Sequence, residues 1–328
     1  MLEHVGILLV ALTVLVWSAD KFVLGASSLA RNLGISPMII GLTIVAMGSS
    51  APEMMVAATA SFHGNPDTAI GNAIGSNITN IALVLGFTVL VKPMMVSSST
   101  IKQELPLLLL LTLLAYWILS DDFFSLGEGI ALMISFFVFI SILLIKALKQ
   151  RKNNTLDDPL IIEAEQELPE ATSTKKSIFW LICGITLLVL SAHFLVESSI
   201  FIAKAYGISD LVIGLTIIAI GTSLPELAAS IASMLKKEDD LAMGNIVGSN
   251  IFNILAVLPF AGIIAPGAVN PEASLRDVPV MLAITALLFL LCFSRKSGGF
   301  RLTRAKGALL LLCFIAYQIL LFSQISVS

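Results

Sequence analysis

Two glutamates, Glu53 and Glu226, stand where carboxylates are expensive: each follows a proline, Pro52 or Pro225, halfway along an otherwise apolar segment. A carboxylate buried there costs several kcal/mol unless it is protonated, paired or bound to a metal ion. The nearest basic residue inside an apolar segment, Lys21, sits beside Asp20. Each proline lacks an N–H, and its ring collides with the carbonyl four residues back, at Gly48 and Gly221, so a helix should break at both places. The freed carbonyls of Ala46 to Ser49 and of Ala219 to Thr222 must then line a cavity or meet a cation. Carbonyl and carboxylate oxygens suit hard cations such as sodium and calcium.

Further oxygens come at helical spacing. Asn72, Ser76 and Asn80 lie four apart and cover an arc of about 80° on one helix face. Asn245, Ser249 and Asn253 repeat the pattern, and Ser49, Ser50, Thr222 and Ser223 flank the breaks. Histidine and cysteine donors for zinc or copper are missing from these segments, and Met47 reads as a packing residue near the break, which points to group I or II ions.

These motifs come in pairs. GLTIVAMGSSAPE (41–53) is repeated as GLTIIAIGTSLPE (214–226), and GNAIGSNITN (71–80) as GNIVGSNIFN (244–253), at one offset of 173 residues that also relates Pro106 to Pro279. Any one Gly, Ser or Pro motif in a membrane helix is more often a packing or kink device than an ion ligand. Two copies, each with Pro-Glu at a break and an Asn-Ser-Asn face, favour an ion pathway. For Thr43 and Thr216 a hydroxyl returned to the helix's own backbone is an equal reading. Asn77 and Asn250 divide between helix–helix bonding and the pathway. Asp20 and His193 are read as snorkelling or locally paired, and His4 and His63 as solvated loop residues.

The elements that must position these groups follow from composition. Of 328 residues 57% are hydrophobic and 12% charged, and the mean hydropathy is +0.97. A soluble globular domain is excluded. Apolar runs near 5–27, 36–62, 67–91, 104–120, 128–148, 177–200, 209–235, 240–265, 278–294 and 305–323 predict ten spans. With these spans one side of the membrane receives sixteen Lys and Arg and the other receives Lys204 and Arg276, which places both termini outside the cytoplasm and the 149–176 segment inside it. Five helices per copy is odd, so the copies enter from opposite sides, as inverted-topology repeats over 1–148 and 177–328 joined by a polar linker. The net charge of −3 without a basic tract excludes nucleic acid as a partner. Cys183, Cys292 and Cys313 lie in apolar runs without metal-binding or disulfide spacing. The first sixteen residues read as a retained helix and not as a cleaved leader.

The paired segments resemble the alpha-1 and alpha-2 repeats of the calcium/cation antiporter superfamily, and among its members the bacterial sodium/calcium exchanger-like proteins of the YrbG-type group. The resemblance implies an all-α polytopic fold of ten helices, broken at helices two and seven, in which helices one and six slide across the other eight to give alternating access. It implies calcium held by Glu53, Glu226 and the carbonyls of Ser49 and Thr222. It implies flanking sodium sites from the Ala46 carbonyl, Ser50 and Ser249 on one side, and the Ala219 carbonyl, Thr222, Ser223 and Ser76 on the other. Asn80 and Asn253 fall at the centre, where well-studied sodium/calcium members have an aspartate in place of Asn253.

The expected activity is therefore calcium/sodium antiport in a prokaryotic inner membrane. Its partners are calcium, monovalent cations and the bilayer, with no cofactor and no obligatory protein partner. A proton- or potassium-coupled exchanger is the alternative within transport, because paired glutamates bind protons as well as metal ions. An intramembrane enzyme is disfavoured, since the GSS and GTS runs have no buried His or Lys near them in sequence to act as a base. A channel is disfavoured because both copies carry the same site, which suits alternation.

Overall fold

The computed structural model describes residues 2–64, 66–153, 172–205, 219–293, 295–296 and 299–325. The described chain is almost entirely helical: α1 (Leu2–Leu33), α2 (Ala46–Ser49), α3 (Ala51–Phe62), α4 (Pro66–Val91), α5 (Thr100–Leu119), α6 (Leu126–Asn153), α7 (Thr174–Ala205), α8 (Ala219–Thr222), α9 (Leu224–Leu235), α10 (Asp239–Ile264), α11 (Ala273–Phe293) and α12 (Arg304–Ile325). Eight of these, α1, α4 to α7 and α10 to α12, contain a stretch long and apolar enough to cross a membrane. Start signals are local. Ser125 and Glu128 form a reciprocal capping box at the head of α6, with Ser125 N–H donating to Glu128 Oε2 at 2.8 Å and Glu128 N–H to Ser125 Oγ at 3.3 Å. Most of the polar linker, with Thr216 and the part of the expected 209–235 helix before residue 219, lies outside the described residues.

Polarity runs inside out. Leu9, Val16, Leu110, Trp117, Phe137, Leu144, Leu290, Leu312 and Ile319 are exposed, while Ser49, Ser50, Glu53, Asn80, Glu226, Asn245 and Asn253 are buried. Such a surface dissolves in lipid and not in water, because hydrocarbon outside leaves the interior as the place for polar groups. The chain is an all-α polytopic membrane protein.

Two compact units form, each drawing on both halves of the sequence: Met1–Pro52 with Phe137–Gly248, and Glu53–Phe136 with Ser249–Ser328. In the first unit α1 and α7 lie side by side over most of their length. Their contact is close because Gly25 faces the α7 backbone and Gly184 faces Phe22. Phe22, Val23, Ala26, Ala30 and Leu181 fill the core there, with Val45, Ala229 and Leu241. Polar groups gather at one end: Asn32 Nδ2 donates to Thr172 O at 2.7 Å, and Arg31 lies 3.7 Å from Glu238.

In the second unit α4 packs on α11 and α12, and α11 on α5. Two small sheets join its loops: β1 (Met94–Val96) pairs antiparallel with β5 (Gly299–Leu302), which also pairs with β4 (Arg295–Lys296). Separately, β2 (Phe123–Phe124) pairs with β3 (Gly267–Ala268). Each sheet joins two loops that the lysine and arginine count assigns to one side of the membrane.

Candidate ion site

The two breaks are alike. Pro37–Ile40 and a π-turn over Gly41–Val45 run into α2, which stops at Ser50 with φ −84° and ψ 8°, and α3 begins at once. In the second copy α8 stops at Ser223, φ −90° and ψ 4°, and α9 begins at Leu224. The proline stands at the second position of each new helix, where its missing N–H costs nothing. Each glutamate is then the third residue of a helix, in a first turn whose unpaired N–H groups favour negative charge. Both are fully buried.

Within the first unit the second-copy carboxylate is held by a residue of the first-copy break: Ser50 Oγ donates to Glu226 Oε1 at 3.0 Å. The backbone over 41–46 can approach α10 because two glycines leave room. A Cβ on Gly41 would stand 2.9 Å from Leu241 O, and one on Gly248 would stand 2.7 Å from Ala46 Cβ. This close packing sets Asn245 against the break. Its Oδ1 accepts from Ser49 Oγ at 3.0 Å, and its Nδ2 donates to Glu226 O at 3.3 Å and to Ser230 Oγ at 3.1 Å. Ala46, Ser49, Ser50, Ser223 and Glu226 are buried in this unit. Ala219 and Thr222 contribute the backbone of α8.

The second unit holds Glu53, Ser76, Asn80, Ser249 and Asn253, all buried. Asn72 Nδ2 donates to Glu53 O at 3.1 Å, the counterpart of the Asn245 bond. Asn80 lies in a π-helical run, Thr79–Leu85, and Asn253 opens another, Asn253–Val257, whose wide turn is closed by Leu258 N–H on Asn253 O at 2.8 Å. Such π-bulges recur at functional sites. Among the described residues neither amide atom of Asn80 or Asn253 has a hydrogen-bond partner, and neither Ser76 Oγ nor Ser223 Oγ has one. Buried polar atoms left in this way call for an explanation, and a hydroxyl or amide oxygen that serves a cation supplies one. Among the described residues no three His, Cys, Asp or Glu side chains gather, so a bound cation would draw on hydroxyl, amide and carbonyl oxygens beside two carboxylates at most.

Some sequence expectations are refined. Asn72 and Asn245 each donate through Nδ2 to a glutamate backbone carbonyl, and the Oδ1 of Asn245 accepts from Ser49. Thr43 Oγ1 donates to Ile39 O at 2.6 Å, the backbone reading. Asn77 bonds Met281 Sδ at 3.3 Å, a helix–helix role. Asp20 is paired locally, 2.8 Å from Lys236 and 3.3 Å from Lys21. His4 is not in a loop: it lies in α1, stacked on Phe201 with ring centroids 3.7 Å apart. Ser230, one turn beyond Glu226, escaped the sequence reading, although its i+4 spacing puts it on the same face.

Broken helices, buried carboxylates and inside-out polarity define a membrane transporter for small cations. The sodium/calcium exchanger protein family model matches residues 3–145 and 176–323, and the chain belongs to that family. It is 57% identical to CaxA of Alkalimonas amylolytica over 317 residues, 96% of this chain and 98% of that one. It is 40% identical to the inner membrane protein YrbG of Escherichia coli K12, over 98% of each chain. A structure of the sodium-calcium exchanger NCX_Mj soaked with sodium and calcium superposes with a TM-score of 0.80 at 31% identity, covering 96% of this chain and 97% of that one. The protein is thus a cation antiporter and not an enzyme.

Proposed function

We propose that this protein exchanges calcium for sodium by alternating access across a prokaryotic cytoplasmic membrane. The observation that carries the reading is the Ser50–Glu226 hydrogen bond at 3.0 Å: a buried carboxylate of one copy is held by a hydroxyl of the other copy's helix break. The family match and the likeness to a sodium-calcium exchanger support it. Glu53, Glu226 and the carbonyls of Ser49 and Thr222 take calcium. The Ala46 carbonyl, Ser50 and Ser249 take one sodium, and the Ala219 carbonyl, Thr222, Ser223 and Ser76 take another, with Asn80 and Asn253 central. Either load neutralises the glutamates, and antiport follows if only a filled site lets the moving helices shift.

The moving pair is α1 with α7, the two copies are inverted five-helix repeats, 149–176 is a cytoplasmic linker, and both termini face away from the cytoplasm. The test is calcium uptake into vesicles of purified protein, with sodium, potassium and proton gradients imposed one at a time. Uptake that requires an opposing sodium gradient is expected. Uptake driven by a pH gradient without sodium would assign a proton/calcium exchanger instead.

A further inference from the structure

We propose that a groove between α11 and α12 binds one phospholipid whose headgroup ends in a primary ammonium, and that Glu272 selects it. The groove encloses about 580 Å³ and is lined by Pro271, Leu275, Pro279, Val280, Ala283 and Leu320, with Glu272 and Arg276 at its head. Volumes of this order hold small organic ligands. Glu272, Arg276, Pro279 and Ala283 recur three or four residues apart, so one stripe of α11 carries two charges and then an apolar floor. The floor is low because Pro279 and Ala283 have short side chains. Leu275, 78% exposed, stands on the rim. A leucine so placed in the first turn of a spanning helix belongs against acyl chain and not against water. The charges therefore lie at headgroup depth, and the apolar floor runs inward from them.

The charges decide which lipid fits. An arginine beside such a groove would by itself recruit an anionic headgroup, but this one is already neutralised. Its Nε donates to Asp277 Oδ1 at 2.7 Å and its Nη2 to Asp277 Oδ2 at 3.0 Å, a bidentate pair, while Nη1 donates to Glu272 Oε2 at 2.9 Å. Asp277 is also fixed from α12, where Tyr317 OH donates to its Oδ1 at 2.9 Å. Two carboxylates against one guanidinium leave a net charge of −1. Glu272 presents that excess: its side chain is 63% exposed, against 18% for Arg276 and 15% for Asp277.

Glu272 is held in place before any ligand arrives. Its N–H donates to Asn270 Oδ1 at 2.9 Å, and Asn270 N–H donates to Asp67 Oδ1 at 2.9 Å, which fixes the loop into α11 and brings a further acid to it. A group held in advance costs little to order on binding. A carboxylate has about four lone-pair sites, so Glu272 can accept from an ammonium as well as from Arg276. A primary ammonium brings N–H donors to it; a trimethylammonium brings the same charge and no donor. Hydrogen bonding therefore favours an ethanolamine headgroup over choline, and charge favours it over an anionic one. The proposal depends on the chain lying in a bilayer and not on which ions it exchanges.

Native mass spectrometry of the full-length protein, stripped of lipid in detergent, tests this. Phosphatidylethanolamine, phosphatidylcholine and phosphatidylglycerol with identical acyl chains are offered singly and in competition. Wild type is expected to hold the first about tenfold more tightly than either of the others, the value of one hydrogen bond to a charged group. Glu272→Gln keeps the shape and should bring ethanolamine and choline lipids to within twofold of each other. Val280→Trp fills the groove, leaves Glu272 in place and should remove the tightly held lipid; it serves independently if Glu272→Gln does not fold, and melting temperatures in detergent check both. Equal retention of ethanolamine and choline lipids by wild type would reduce the groove to acyl contact and overturn the proposal. Tighter retention of the glycerol headgroup would overturn it as well, by giving the choice to Arg276. A preference for ethanolamine that survives either variant would put the selecting site elsewhere and end it too.

Discussion

Ser50 and Glu226 meet although 176 residues separate them: the serine hydroxyl donates to a fully buried carboxylate at 3.0 Å. Ser50 is the break itself, and Glu226 lies in the first turn of the helix after the other break. The bond is how one sequence copy reaches the acid of the other within a single compact unit. Hydrogen bonds to charged groups contribute about 1.5–3 kcal/mol, so the hydroxyl is worth about tenfold or more in any equilibrium that needs Glu226 ionised.

Ser50→Ala is accordingly expected to raise the sodium KM of calcium uptake by at least about tenfold, since it also removes a proposed sodium oxygen. Ser50→Thr retains the hydroxyl and should stay within a few-fold of wild type. Initial uptake rates at a series of sodium concentrations check both. Wild-type kinetics in Ser50→Ala would show that the bond has no part in ion binding.

Gly248 is the second point of leverage. A Cβ there would stand 2.7 Å from Ala46 Cβ and 2.9 Å from Leu42 Cα, closer than real atoms pack, and neither a Cβ nor a Cα can swing aside without moving its helix. Gly248→Val should destabilise by about 1–3 kcal/mol and pull Asn245 from Ser49. Melting temperature in detergent and uptake rate should fall together. Gly6 has open space around it, and Gly6→Ala should leave both unchanged.

The two helix breaks were legible in the chain because their cause is covalent. Pro52 and Pro225 cannot continue a helix, and the breaks fall at Ser50 and Ser223, two residues before each. The 173-residue offset paired every motif, and the spacing of Asn72, Ser76 and Asn80 put them on one face. What sequence could not tell is which end of an amide faces which neighbour. Asn72 and Asn245 read as oxygen suppliers from spacing alone, and each also donates through Nδ2 to a glutamate carbonyl; for Asn245 the close packing at Gly41 and Gly248 sets the amide against the break. The π-turns at Asn80 and Asn253 were hidden too. Pro259, whose ring would crowd the carbonyl four residues back, hints at the second, but Gly86 occupies the equivalent place beyond the first.

Stability should depend on pH through Glu238, in the turn between α9 and α10. Burial pushes its carboxyl above the ordinary value of 4.5; Arg31, the Ser27 hydroxyl and Lys236 pull it back, while Asp240 adds to the rise. Because the folded form holds the proton more firmly than the unfolded form, the contribution is full below 4.5 and is lost as pH rises through the raised value. Arg31→Met removes the largest opposing influence, so its melting temperature should fall further with rising pH than that of wild type, and the fall should extend to higher pH. Melting curves in detergent between about pH 4 and 8 check this. Parallel profiles for the two proteins would refute the role of Arg31.

Glu53→Gln and Glu226→Gln are each expected to abolish gradient-driven calcium flux while leaving a folded protein. The substitution keeps volume and removes one of the two charges proposed to balance a divalent ion among otherwise neutral oxygens. Because a neutral carboxamide does not have to be desolvated as an anion, melting temperatures should hold or rise. Loss of flux with retained stability would separate ion binding from folding, and near-normal flux in either variant would remove that glutamate from the site.

Asn253 offers the converse experiment, a gain of charge. Its amide is fully buried and has no hydrogen-bond partner at either atom among the described residues, so it sits where an oxygen can serve an ion at no cost to another bond. Asn253→Asp adds a third acid to a site proposed to hold two. Without an ion the new carboxylate is destabilising, because burial of an unpaired charge is costly, and the melting temperature should fall in a chelator. With calcium present the extra carboxylate contributes attraction, so calcium should restore the melting temperature by more than it raises that of wild type, and calcium KM should fall by about tenfold, the equivalent of about 1.4 kcal/mol. Melting curves with chelator and with calcium, beside uptake kinetics, read both effects. A variant destabilised equally in both conditions would place Asn253 outside the ion's reach.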